Sequence, residues 1–170
     1  MALQALSSIR SVSLAVAISI PGLVAHESIE LEPYTDIAGV RTVCAGETAH
    51  IEERKYTTSE CLVLLAQRVE KDFKQPLREC LGEKVWDGLP IEMQSAFISL
   101  SYNIGVNAFC NKSSTARYAR EGDWVTSCDK IKLWNKARVN GRLREVQGLT
   151  NRRLDERRLC LEGANSIGKA

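Results

Sequence analysis

The sequence predicts an α+β fold: a small antiparallel β-sheet near the start, followed by a mostly helical lobe. Two patterns predict it. Between residues 32 and 46, turn residues alternate with residues that favour strands. From residue 57 onward, apolar residues recur at helical spacing. There is no internal repeat, so one domain with a terminal segment accounts for the 170 residues.

The composition is that of a globular protein, with 44% hydrophobic and 26% charged residues. The net charge of +2 is too small to indicate nucleic-acid binding. From residue 130 to the end, eleven basic residues stand against four acidic ones, whereas residues 27–80 carry eleven acidic and seven basic ones. This asymmetry suits an anionic polymer that must reach a carboxylate site. A solvated helix face is the alternative.

The cysteine pattern favours disulfides over a metal site. There are six cysteines and two histidines, with no CxxC pair, so we expect neither zinc nor any cofactor. Three disulfides in an oxidising compartment account for the even number, and six buried thiols in a cytosolic protein are the alternative. Fifteen pairings are possible. The cysteines are Cys44, Cys61, Cys80, Cys110, Cys128 and Cys160.

Residues 1–25 resemble an export signal. Arg10 is their only charge, and an apolar run follows from Ser11 to Ala25. As a helix this run rises roughly 22 Å, short of a hydrocarbon core of about 30 Å, so it should hold a membrane weakly. Cleavage after Ala25 is the alternative. Leu23 is a poor match for the small residue that such a site needs, and we favour an uncleaved segment.

The first secondary structure after this segment should be a short helical piece over Glu27–Leu31. Two short strands should follow within residues 32–46, joined by a turn near Ile37-Ala38-Gly39. A polar connection over residues 47–56 then leads to the helices.

The first long helix should begin at Thr57, because Thr57 and Glu60 form a capping box. Pro76 should limit or kink it. A second helix should run from Ile91 to Tyr102, and shorter helices over 113–120, 123–130 and 150–161. The expected inward positions are Leu62, Leu65, Val69 and Phe73 in the first helix, and Met93, Ala96, Phe97 and Leu100 in the second.

Glu27, Asp36 and Thr42 are the candidate catalytic residues. Glycoside hydrolysis needs one carboxyl that donates a proton and an ionised one that stabilises positive charge or activates water. Glu27 follows an apolar stretch, which suits the acid, and Asp36 lies on a polar turn. Carboxylates at this separation are common, so two surface carboxylates are the alternative.

The stretch from His26 to Gly46 resembles the active-site segment of phage-type lysozymes, glycoside hydrolase family 24. That family has Glu, eight residues, Asp, five residues, Thr, and Glu27, Asp36 and Thr42 match both spacings. Two further stretches resemble its lambdoid members: Ser99–Gly105 with Phe109, and Gly148–Arg153 with Glu156. The resemblance covers residues 26–161. Supporting positions of the pattern are occupied by Tyr34, Gly39 and Gly46.

The resemblance implies a muramidase domain over residues 26–170 that acts on peptidoglycan as a monomer. It implies that Glu27 is the general acid, that Asp36 positions water or stabilises charge, that Thr42 holds the water, and that the anomeric carbon is inverted. Arg152 takes the place of an arginine that pairs with the catalytic glutamate, with a surface arginine as the alternative. Tyr34 is a candidate substrate contact.

The sequence departs from the family pattern at Ser28, Cys44, Ala45 and Glu47, which puts local turn geometry and a supporting ion pair in doubt. We interpret Cys44 as half of a disulfide with Cys61, with a free thiol as the alternative. We assign Cys110 with Cys128 and Cys80 with Cys160 to complete the set, although the sequence leaves the other pairings of these four cysteines open.

Residues 1–25 also resemble the signal-arrest-release segments of some phage endolysins. This implies an enzyme that waits, inactive, in the host inner membrane and later enters the periplasm. Two other functions stay open: a lytic transglycosylase, against which Asp36 and Thr42 argue because that reaction uses no water, and a non-enzymatic, membrane-tethered wall-binding protein.

Overall fold

A computed structural model describes residues 12–24, 29–36 and 38–167 of the chain. The chain forms two compact units, Met1–Asp72 and Phe73–Ala170. The described residues contain two small antiparallel sheets and a majority of helix, which confirms the predicted α+β class.

The first unit contains the predicted hairpin. Strand β1 (Glu30–Thr35) pairs with β2 (Arg41–Cys44), and Tyr34 lies opposite Thr42. The predicted helical piece was wrong at Glu30 and Leu31, which belong to β1. The Leu31 carbonyl accepts a hydrogen bond of 2.8 Å from the Tyr56 N–H, so its backbone is tied to the connection after the hairpin and not to a helical turn.

A buried cluster in the first unit lies around the end of β2. Val43, Cys44, Tyr56 and Cys61 are buried together, with Leu31 packed against them. The predicted disulfide between Cys44 and Cys61 is confirmed, so the free-thiol alternative for Cys44 is wrong. The bond fixes the end of β2 to the helix that carries Cys61.

Part of the predicted export segment forms helix α1 (Leu14–Val24), which packs against helix α2 (Thr58–Val69). Its buried residues lie on one face, whereas Leu14 and Ile18 are exposed. The Ser13 N–H donates to a Glu70 carboxylate oxygen at 3.0 Å, just before the first turn of α1. Within the described residues, none of the helices is both long enough and apolar enough to traverse a bilayer.

The predicted capping box starts α2. The Thr57 N–H donates to Glu60 at 2.7 Å, and the Glu60 N–H donates to the Thr57 hydroxyl at 3.2 Å. A π-helical segment (Glu70–Lys74) follows α2 and leads into helix α3 (Gln75–Leu81). Pro76 explains the change, because proline lacks an N–H and its ring displaces the preceding turn.

In the second unit the predicted helix from Ile91 is confirmed and ends slightly later, and all four of its predicted inward residues are buried. It packs against the last helix, where a Cβ at Gly163 would lie 2.9 Å from Met93. The further elements are α4 (Glu83–Gly88), α5 (Ile91–Ile104), α6 (Val106–Lys112), α7 (Ser114–Glu121), α8 (Trp124–Lys130), a 3-10 turn (Ile131–Trp134), β3 (Lys136–Val139), β4 (Arg142–Glu145) and α9 (Gln147–Ala164).

The other two predicted disulfides were wrong. The bonds join Cys80 to Cys110 and Cys128 to Cys160. Helix α3 packs against α6, and α8 packs against α9, which brings the bonded Cα atoms to 5.9 and 5.5 Å. Pairing therefore follows helix packing, which cysteine spacing does not encode.

Candidate functional site

Asp36 closes the turn of the first hairpin. Its Oδ1 accepts hydrogen bonds from the Ala38 N–H at 2.8 Å and from the Val40 N–H at 2.9 Å. An aspartate that caps a turn in this way is fixed by the backbone around it. The carboxylate is thus held in one orientation, and its second oxygen takes no part in these bonds.

Thr42 is hydrogen bonded to Val40, the residue whose N–H also binds Asp36. Its hydroxyl donates to the Val40 carbonyl oxygen at 3.0 Å, and the residue is only 3% exposed. The Val40 carbonyl therefore accepts a hydrogen bond from Thr42, and the Val40 N–H donates one to Asp36. Two of the three predicted catalytic residues are brought together at one turn.

The other predicted residues stand in different relations to this turn. Tyr34 lies opposite Thr42 in the β1–β2 register and is 39% exposed. Glu27 and Ser28 lie outside the described residues. Arg152 lies in α9, in the second unit.

The segment after β2 keeps a tight turn despite the family departures. Cys44 adopts a left-handed conformation with φ of 58°, and its disulfide holds it there. Arg68 donates from Nη1 to the Gly46 carbonyl at 2.6 Å, and a Cβ at Gly46 would lie 3.2 Å from that same nitrogen. The Glu47 carboxylate accepts two further backbone hydrogen bonds, from the N–H groups of Thr48 and Ala49.

A buried ionic cluster lies between α5 and α9. Arg152 is 5% exposed, which rules out the surface alternative, and Arg153 is 1% exposed. Glu156 Oε1 lies 3.3 Å from Arg152 Nε and accepts from Arg153 Nη2 at 2.7 Å. The Ser99 hydroxyl donates to the same Glu156 oxygen at 2.7 Å, and Arg153 also donates to Asn103 at 2.9 Å.

Two guanidinium groups share one carboxylate in this cluster. Burial lowers the pKa of Arg153, and the attraction of Glu156 opposes that effect. A charge removed from water is retained only when it is paired and hydrogen bonded, as here. The sequence pointed to Arg152 and Glu156 but missed Arg153. The signal for it was an arginine three residues before a glutamate, which places both side chains on one helix face.

Comparison with known proteins agrees with these observations. A family model described as Phage lysozyme matches residues 24–156, a range that contains every predicted site residue. The SAR-endolysin of Pseudomonas phage phiKMV is 35% identical over 149 residues, which cover 87% of this chain and 89% of that protein. The SAR-endolysin of Enterobacteria phage P21 is 34% identical over 139 residues, covering 81% and 78%. The solved structure of an endolysin from Escherichia coli O157:H7 phage FAHEc1 has a TM-score of 0.68 at 25% identity, covering 89% and 94% of the two chains.

Proposed function

Because the chain belongs to the phage lysozyme family, we propose that Glu27, Asp36 and Thr42 carry its catalytic chemistry. The chain is a phage endolysin of the muramidase type, and its enzyme class is glycoside hydrolase. That assignment sets aside the non-enzymatic wall-binding alternative. The observation that supports the site most strongly is the shared anchoring of Asp36 and Thr42 on Val40.

The reaction is hydrolysis of the β-1,4 bond between N-acetylmuramic acid and N-acetylglucosamine in peptidoglycan. Glu27 gives a proton to the leaving oxygen as the bond breaks. Asp36 and Thr42 hold a water on the opposite face of the sugar, and its attack inverts the anomeric carbon. The water's oxygen forms the new bond to that carbon, and its proton passes to Asp36.

The hydrogen bonds at the turn suit the holding of a water. The Thr42 hydroxyl already donates its proton to Val40, so toward a water it acts as an acceptor. The Asp36 oxygen that takes no part in the two bonds of the turn accepts as well. A water that donates to both keeps its lone pair for the sugar carbon.

Two further residues have supporting roles in this proposal. Arg152 takes the place of the arginine that the family pairs with its catalytic glutamate, and Glu156 and the Ser99 carbonyl fix its guanidinium. Tyr34, exposed opposite Thr42, contacts the sugar. The enzyme acts as a monomer and binds no nucleic acid.

Residues 1–25 anchor the enzyme in the host inner membrane until it is released, uncleaved, into the periplasm. The relatives named as SAR-endolysins support this. Helix α1 contains no charged residue and Ser19 is its one polar side chain, which suits lipid, yet one face alone is buried, and the helix packs against α2. Cell fractionation with mass measurement tests the proposal: the full-length chain should move from membrane to periplasm, and a periplasmic chain shortened by residues 1–25 contradicts it.

Product analysis tests hydrolysis against the transglycosylase alternative. Sacculi digested by the purified protein are treated with borohydride, and the fragments are weighed by mass spectrometry. Hydrolysis leaves a reducing end, which borohydride reduces and makes 2 Da heavier. A 1,6-anhydro end resists reduction, and fragments of that kind contradict the water-based mechanism.

A further inference from the structure

The hairpin formed by β3 and β4 carries a dense positive charge. Its strands contain four basic residues and one acidic one, and all five are exposed. Among the residues that the structure describes, none of the four basic side chains is in an ion pair, whereas Arg41, Arg54 and Arg78 each pair with a carboxylate. The basic residues of the hairpin are Lys136, Arg138, Arg142 and Arg144.

Apolar side chains are exposed among these charges. Leu143 is 67% exposed and lies opposite Arg138 across the ladder, and Val139 is 41% exposed and lies opposite Arg142. Residues directly opposite in an antiparallel pair share a face, so Leu143 neighbours Arg138 on one face of the hairpin and Val139 neighbours Arg142 on the other. The combination recurs just before the hairpin, at Lys132 and Leu133.

The hairpin is held in shape at both ends. Asn140 and Gly141, at its tip, have φ of 48° and 77°, the left-handed pair that a two-residue turn of type I′ requires. At its base the Val146 N–H donates to the Asn135 carbonyl at 3.0 Å, and the Asn135 amide donates to Thr150 at 3.3 Å. The exposed side chains are therefore presented by a preformed backbone.

We propose that the tip of this hairpin, residues 138–144, docks on the surface of an anionic phospholipid bilayer. The arginines contact lipid phosphates, and Leu143 and Val139 enter the interface between headgroups and acyl chains. Guanidinium groups bind phosphate bidentately, and each basic residue near an anionic membrane strengthens binding roughly fivefold. Stem-peptide carboxylates of peptidoglycan would also attract the arginines, but a hydrated glycan gives the exposed Leu143 no apolar environment. An anionic lipid surface provides phosphates for the arginines and an apolar environment for Leu143.

This contact goes beyond the proposed function and does not depend on it. In that function residues 1–25 bind the hydrocarbon core of the membrane, whereas the hairpin binds the anionic headgroups at its surface. The same chain would therefore keep an affinity for anionic membranes that residues 1–25 do not supply.

Vesicle binding of the full-length protein tests the proposal. The parent, an R138E/R142E variant and a matched K84E/K112E control are mixed with vesicles of phosphatidylglycerol and phosphatidylethanolamine, or of phosphatidylcholine alone. Lys84 and Lys112 are exposed on α4 and α6, so the control has the same change in net charge. We expect R138E/R142E to weaken partition onto the anionic vesicles roughly tenfold or more. The control should stay within about twofold of the parent, and partition onto phosphatidylcholine should not change in either variant.

Two results overturn the proposal. Equal losses in both variants mean that net charge alone matters, and no loss in R138E/R142E means that the hairpin does not bind lipid. A Leu143→Ser variant tests the apolar contact separately, since it leaves the charge intact, and it should also weaken anionic binding. If R138E/R142E loses sedimentation with purified sacculi but keeps vesicle binding, the surface belongs to peptidoglycan and the proposal is wrong. Clearing of sacculi by each variant shows that it is folded.

Discussion

Oε2 of Glu156 lies 2.6 Å from Nε of Arg153, on a helix face that buries both side chains almost completely. The two atoms are close but not aligned for a hydrogen bond, so their attraction is mainly ionic. The first half of helix α9 thus buries two arginines and a glutamate and leaves Leu154 about half exposed, whereas small residues are buried in its second half. Because Glu156 contacts both arginines, it also positions Arg152.

Loss of the shared carboxylate should be costly. Glu156→Ala leaves two buried guanidinium groups without their common partner, and we expect the free energy of unfolding to fall by about 3–5 kcal/mol. Glu162→Ala, on the exposed side of α9, is the control and should change it by about 0.5 kcal/mol or less. Denaturant unfolding measures both, and equal effects would show that the cluster does not stabilise the fold.

Substitutions of Asp36 should separate its effect on the fold of the turn from its effect on catalysis. The amide oxygen of Asp36→Asn still accepts from Ala38 and Val40, so the turn should persist while clearing of peptidoglycan falls about 10²–10³-fold. Asp36→Ala should lose the same activity and also about 1 kcal/mol of unfolding free energy. An Asn variant that clears peptidoglycan at the parent rate contradicts the catalytic role of this carboxylate.

The disulfide between Cys128 and Cys160 should contribute strongly to stability. Its partners are 32 residues apart. The bond joins the two ends of that loop in the unfolded chain as well, which lowers the conformational entropy of the unfolded state. A Cys128→Ala/Cys160→Ala variant should therefore lose about 2–5 kcal/mol of unfolding free energy. Peptide mapping without reduction checks the pairing itself, and a peptide that links Cys110 to Cys128 would disprove it.

The capping box of α2 should give a stability that depends on pH. The Arg54 side chain, followed by the backbone and hydroxyl of Thr57, lowers the pKa of Glu60 from an ordinary value of 4.5 to about 2. Because the folded pKa is the lower one, the stabilisation is complete above pH 4.5 and is lost as the pH falls toward 2. The difference in stability between the parent and Glu60→Gln should shrink over that interval. A difference independent of pH would mean that the charge of Glu60 is not involved.

Local patterns were sufficient where local chemistry decides the structure. The side chains of the Thr57–Glu60 capping box satisfy their own backbone, and Gly39 supplies the positive φ that the turn before β2 needs. The strand at Glu30 and Leu31 was missed because it depends on pairing with β2, where the partner of Glu30 is Cys44, 14 residues further along the chain. The β3–β4 hairpin was missed despite Asn140-Gly141, the dipeptide most typical of a type I′ turn.

In the candidate site, too, some features follow from the sequence and others depend on the folded structure. The spacing of Glu27, Asp36 and Thr42 follows from the sequence, but the role of Val40 as the common anchor of Asp36 and Thr42 depends on hydrogen bonds to its backbone. The burial of Arg153 depends on packing against α5, and the sequence indicates only that Arg153 shares a helix face with Glu156.

The central claim is that the carboxyl of Glu27 supplies the proton, and one substitution tests it most directly. Full-length parent, Glu27→Gln and Glu30→Gln are compared for turbidity clearing of purified sacculi. Glu30 is exposed on β1 and serves as the matched control. Loss of an acid catalyst costs about 10²–10⁴-fold, so Glu27→Gln should clear that much more slowly while Glu30→Gln keeps the parent rate. A Glu27→Gln protein that clears sacculi as fast as the parent contradicts the account.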